Sequence, residues 1–115
     1  PCRVSQAGQT IHYIPEICEF SGGAVTGAYF PELSKGDTTK ATIVADIATA
    51  QRDRIGRVFA FDLGAGTSWD ASKEIAHAVL DSVIEEYGRA PPWCIEFLED
   101  HLGVGVVAQA ARMAA

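Results

Sequence analysis

Apolar residues recur along this chain in two rhythms, and the longer rhythm is the clearer. Ile75, Ala76, Val79, Leu80, Val83, Ile84 and Tyr87 follow one another at spacings of one, three and four. That spacing lines them up along one side of a helix. Lys73, Glu74, Asp81, Glu85 and Glu86 fall on the other side. The pattern predicts a helix that starts near Ser68 or Asp70 and stops at Gly88, a residue suited to the left-handed end of a helix. A second stripe, Ile43, Val44, Ile47 and Ala48, predicts a helix capped by Thr38 or Thr39. It should end near Gln51 or Arg52. Arg52, Arg54 and Arg57 then stand at or past its negative pole, where cations are favoured. Pro91 and Pro92 open a third helix, since the missing N–H of proline is harmless in a first turn. That helix runs to about Leu102 and stops at Gly103. The alanine-rich tail, 104–115, is either a fourth short helix or a frayed end.

The shorter rhythm belongs to strands. Residues 9–20 are rich in β-branched and aromatic types. Pro15 lacks the N–H a ladder needs, so this reads as an edge strand broken or bulged there. Ser21-Gly22-Gly23 is a hairpin turn. Residues 24–30 form a second strand, weakened by Gly27, and 31–37 a loop. Residues 57–63, Arg-Val-Phe-Ala-Phe-Asp-Leu, form a third strand that ends in the turn Gly64-Ala-Gly-Thr-Ser68. The order is β-β-α-β-α-α. It predicts a single α+β domain over 1–115: a small three-stranded sheet with two to four helices packed mainly on one face. No internal repeat or linker divides the chain.

Composition narrows the function. With 48% hydrophobic and 21% charged residues, the chain is neither disordered nor collagen-like, and 115 residues suffice for one core. A net charge of −6 disfavours direct nucleic-acid binding, which needs a surplus of cations facing phosphates. An acidic surface suits a basic protein partner. No apolar run approaches the ~18–20 residues that span a bilayer. The first residues, Pro1 to Ser5, lack the pattern of a signal peptide. Cys2, Cys18 and Cys94 are odd in number, widely spaced and free of any Cys-x-x-Cys. A disulfide framework and a thiolate zinc site are therefore not expected, and a reducing cytoplasm fits best. His12, His77 and His101 have no metal-ligand spacing, so neither metal nor cofactor is expected.

Four features invite chemistry. The string Phe61-Asp-Leu-Gly-Ala-Gly-Thr67 resembles a phosphate loop of the actin and heat-shock-protein ATPases, Asp-x-Gly-x-Gly-Thr. That resemblance would make Asp62, Gly64, Gly66 and Thr67 an anion site, with backbone N–H groups approaching phosphate. The ATPase fold needs two large lobes and a second loop. The turn here is expected to lead straight into a helix, where that family continues into another strand. The turn reads as a connector, with a small enzyme or anion binder as the alternative. Pro1 would be a general base, as in small tautomerases, only at the start of a buried strand. Residues 2–8 make a poor strand. Cys94 lies in the first turns of a helix, where the dipole favours a thiolate. His101 sits two turns away and His77 on another helix, so Cys94 reads as a buried structural thiol. Lastly, Glu85, Glu86, Glu96, Glu99 and Asp100 span the end of one helix and the body of the next. They form either a solvated face or a binding surface. Trp69 and Trp93 start the two helices, and an exposed tryptophan would anchor a partner.

Three fragments together carry a second resemblance: Asp46-Ile-Ala48 with Gln51, Val58-Phe-Ala-Phe-Asp62, and Ser68-Trp-Asp-Ala-Ser-Lys-Glu-Ile-Ala76. In these the chain resembles small uncharacterised accessory proteins of phages, plasmids and integrated mobile elements in proteobacteria. The resemblance implies a bacterial or viral cytoplasmic protein with a host-facing or regulatory role; a dedicated inhibitor such as an anti-CRISPR is one version of the protein-binding function expected here. The expected function is a non-enzymatic, acidic protein-binding module.

Overall fold

The computed structural model describes residues 11–21, 24–29, 38–49 and 55–114. Among the described residues eight elements follow in order: β1 (Ile11–Ser21), β2 (Ala24–Tyr29), α1 (Lys40–Ala48), β3 (Ile55–Asp62), β4 (Thr67–Asp70), α2 (Ser72–Tyr87), α3 (Ile95–Leu102) and α4 (Val104–Ala114). The strands form one antiparallel sheet in the order β2-β1-β3-β4. The α+β class, the order of the main elements and the helices on one face are as the sequence predicts. One short strand, β4, extends the sheet beyond them.

Antiparallel pairing fixes which side chains share a face. Tyr13 stands opposite Ala60 and Pro15 opposite Val58. All four are buried, together with Ile17. Tyr13, Val58 and Ala60 join Ile43, Ile47 and Ala48 of α1 and Ile75, Ala76, Val79, Leu80 and Val83 of α2 in one cluster. Phe97 and Leu98 of α3 and Val107 of α4 complete the cluster. The two apolar stripes of the sequence are therefore the core, with three adjustments. Val44 and Ile84 are only half-buried, and Tyr87 is exposed.

β1 pairs with β3 over Ile11–Ile17 and with β2 over Ile17–Ser21, so the two ladders meet at Ile17. Residues 11–16 pair with β3 alone. Pro15 sits in that singly paired half, so the edge reading holds locally though the strand is not broken there. Val58, its partner, sends its N–H to Ser72 and takes the N–H of Ala71 on its C=O. Both groups of Val58 thus point away from β1. The Pro15 and Val58 pair is the non-hydrogen-bonded kind, and proline costs the ladder nothing. The register slips one residue later, between Glu16 and Ile17, and again between Glu19 and Phe20, opposite Gly27 and Val25.

The largest correction concerns residues 64–72. The glycine turn does not lead straight into a helix. It closes a β-hairpin onto β4, and α2 begins only at Ser72. Ser68 and Asp70 are cap-type residues, which is why they read as helix starts. Asp70 does serve the helix, one step away. Its carboxylate accepts the N–H of Ser72 at 2.9 Å and the Ser72 hydroxyl at 2.5 Å. The hydroxyl oxygen in turn accepts the N–H of Val58, replacing a ladder bond where β4 has ended. α1 is also shorter than expected. Thr39 caps it by accepting the N–H of Thr42, and the helix stops at Ala48. Gln51, Arg52 and Arg54 lie outside the described residues. Arg57 forms a two-pronged pair with Glu16 on the neighbouring strand. The other helix ends fall where glycine puts them. Gly88 and Gly103 both have positive φ, and each gives its N–H to the preceding turn. The tail forms a helix, α4.

Candidate functional site

The end of α2 and the start of α3 form a tight corner. Gly88 turns the chain, and the carbonyl of Pro91 takes the N–H groups of Cys94 and Ile95. This folds Trp93 back against Tyr87. The rings meet nearly at right angles, 86°, with centroids 5.7 Å apart. The indole N–H of Trp93 donates to the carbonyl of Ala48, the last residue of α1, at 2.8 Å. Trp93 is thus both of the things a tryptophan at a helix start can be: a peg joining three helices, and a surface residue. It is 49% exposed and Tyr87 44%. Trp69, on β4, is also partly exposed, and its side chain lies close enough to Glu74 to favour the charged carboxylate.

The acidic residues spread around this corner. Glu85 and Glu86 are exposed on the last turn of α2. Glu96, Glu99 and Asp100 share one side of α3, spaced at three and four positions, and Trp93 stands in the turn just before the helix. Phe97 and Leu98 occupy the opposite side and are buried. Glu96 and Asp100 also lie close enough to Cys18 of β1 to act on its thiol. Burial raises the Cys18 pKa first, Glu16 adds to it, Arg57 opposes, and Asp100 and Glu96 add smaller pushes. Among the described residues the salt bridges are Lys40 with Glu74 and Arg57 with Glu16. None of the five carboxylates takes part in them.

The glycine turn is organised from within. One carboxylate oxygen of Asp62 accepts the N–H of Gly64 at 3.0 Å and of Ala65 at 3.1 Å. The carbonyl of Asp62 accepts the N–H of Gly66 at 2.8 Å. These are the donors an anion would use, and Asp62 already occupies them. A carboxylate standing where phosphate would sit also repels it. Gly66, with a φ of 71°, supplies the left-handed step the turn needs. Thr67 begins β4 and pairs with Asp62. The strand that follows the turn removes one difference from the ATPase loop, while the filled donor set introduces another.

The remaining nucleophile and base candidates are committed elsewhere. Cys94 is buried, and burial alone pushes its thiol up to about 11. A thiol is not a nucleophile at that value, since the thiolate is the reactive form. Its S–H points to the carbonyl of Pro91. His101 meets the carbonyl of Gly56 at 2.6 Å. A carbonyl only accepts, so Nε2 carries the proton there. His12 bonds Thr38, and His77 is exposed. Among the described residues no group of three His, Cys, Asp or Glu is placed to hold a metal. No helix among them is long and apolar enough to cross a membrane. Pro1 and Cys2 lie outside the described residues.

No protein-family model matches the chain, and neither a curated protein nor a solved structure matches it.

Tyr87 is the residue of this corner that sequence reasoning assigned to the core. Its exposure follows from its place in the last turn before Gly88, beyond the reach of the sheet.

Proposed function

We propose that this chain is a small, non-enzymatic accessory protein that works by binding a basic protein partner through the acidic side of α3 and the end of α2. The contact residues are Trp93, Glu85, Glu86, Glu96, Glu99 and Asp100. The resemblance to mobile-element accessory proteins makes a host protein the natural target and the cytoplasm the place of action. One observation carries the reading. Five carboxylates are gathered on two adjoining helix segments, outside every salt bridge among the described residues, beside a half-exposed tryptophan already fixed in position. Charges of this kind steer encounter, while a buried aromatic anchor holds the complex.

The test is a charge reversal, Glu96→Lys with Glu99→Lys, in the whole chain. Proteins retained from the producing cells by wild type and by the double variant are identified at low and high salt, and the purified partner is then measured against both. The fold should persist, because exposed substitutions usually shift stability by about 0.5 kcal/mol or less. The expected result is slower association for the double variant and a weaker dependence on salt. Equal association rates at both salt levels would remove the acidic surface from the account.

A further inference from the structure

The perpendicular aromatic corner has a property the surrounding charges do not explain. We propose that the Tyr87 and Trp93 corner is the seat for an arginine side chain of the partner; this rests on the acidic-surface reading above. Tyr87 is 44% exposed and Trp93 49%, so both residues are open to a side chain from outside. The rings stand at 86°, so a flat cation can lie against one and meet the other from the side. The indole is already held by Ala48, so binding need not first order it. The faces of aromatic rings attract cations, Trp most strongly.

Charge decides what sits there. Glu86 precedes Tyr87 in the chain, and Glu96 follows Trp93 by three residues. A neutral apolar side chain would gain from the rings alone, and an anion would be repelled by the carboxylates. A cation gains from both. Arginine fits better than lysine because its guanidinium stacks flat on a ring while its fork still reaches a carboxylate. Lysine carries a compact, strongly hydrated charge that gives up more water to sit on a ring.

The experiment uses the whole chain and three eight-residue peptides with blocked ends: alternating arginine and glycine, alternating lysine and glycine, and alternating citrulline and glycine. Citrulline keeps the shape of arginine without its charge. Binding is followed by calorimetry at low salt and by the indole N–H signal of Trp93 in two-dimensional NMR. The arginine peptide should bind most tightly and move that signal. Tyr87→Leu should weaken it by about three- to tenfold. Tyr87→Phe, which keeps the ring, should bind as wild type does and so separates loss of the seat from loss of the fold. The reversal of Glu96 and Glu99 should weaken both cationic peptides. If arginine and lysine peptides bind alike, Tyr87→Leu changes nothing and only the reversal weakens binding, the seat is overturned and the acidic surface stands. If no peptide binds and the reversal leaves partner capture unchanged, both fall. A dimer in sedimentation that Tyr87→Leu dissolves would show a second copy covering the rings, which also overturns the seat.

Discussion

Gly56 shows how one absent methyl group shapes this molecule. It lies in β3 where the register slips: Arg57 faces Glu16 and Ile55 faces Ile17, leaving Gly56 as the extra residue of a bulge. A Cβ built on Gly56 would collide with Cys18 Sγ. Its carbonyl holds His101 of α3. The backbone here is not in the left-handed region, so the obstacle to a side chain is space and not conformation. Gly56→Ala therefore sets two effects against each other. Reduced freedom of the unfolded chain favours alanine by about 0.4–1 kcal/mol. Overpacking against Cys18 costs about 1–3 kcal/mol. The second should win, giving a net loss on the order of 1–2 kcal/mol in denaturant unfolding. Adding Cys18→Ala should return most of that loss. A double variant no more stable than Gly56→Ala would show that something other than the Cys18 sulfur fills the space.

At the scale of elements, the junction from β4 into α2 controls how the fold responds to acid. Burial raises the pKa of Asp70, but bonds from the Ser72 hydroxyl and N–H outweigh it, helped by His101 and Arg57, and the net direction is down. Glu74 follows the same logic. Burial raises it, and Lys40, the Tyr13 hydroxyl and Trp69 bring it below its ordinary value. A carboxyl depressed by folding contributes stability that is complete above its unfolded pKa, about 4, and is lost as pH falls through the folded one. The protein should thus be more stable at pH 7 than at pH 3. Ser72→Ala strips Asp70 of its hydroxyl partner and leaves the buried N–H of Val58 without an acceptor, a loss of about 1–3 kcal/mol. Its unfolding midpoint should drop at pH 7 and fall less steeply than wild type toward pH 3. Parallel curves would mean that the acid response lies elsewhere, with Glu74 the next residue to change.

The same junction shows what could be read from residue order. Helix positions were legible because three signals agreed at each: an apolar stripe, a cap such as Thr39, and a glycine stop such as Gly88 or Gly103. β4 was not legible. All four of its residues are exposed, so no alternation of apolar and polar positions marks it, and only its pairing with β3 makes it a strand. Ser68 and Asp70 then misled, since they resemble caps and one of them acts as one. For Pro15, residue order gave the chemistry but not the place: only the register shows that its missing N–H faces away from β3. In the candidate site, the charges and Trp93 were visible in the sequence. The contact of Trp93 with Tyr87 depends on how residues 88–94 turn, which no local pattern specifies.

At the scale of the whole molecule, the strand order carries a consequence in time. β1 is nearest the start of the described chain, yet seven of its residues pair with β3, Ile11 with Asp62 and Ile17 with Ile55. α1 lies between them. Two local hairpins, β1 with β2 and β3 with β4, can each form in about 1–10 μs. Bringing β1 against β3 closes loops of about 40–50 residues, and that entropy must be met before the distant pairing returns anything. During synthesis β1 therefore waits, its future partner unmade, until Asp62 has emerged. We expect the docking of the two hairpins to be the rate-limiting step of folding. Conservative substitutions that weaken the seam, such as Val58→Ala, should slow refolding in stopped-flow experiments. Changes in α4, such as Val107→Ala, should chiefly speed unfolding. The reverse pattern would place the barrier among the helices, and β1, made before β3, would not be waiting on it.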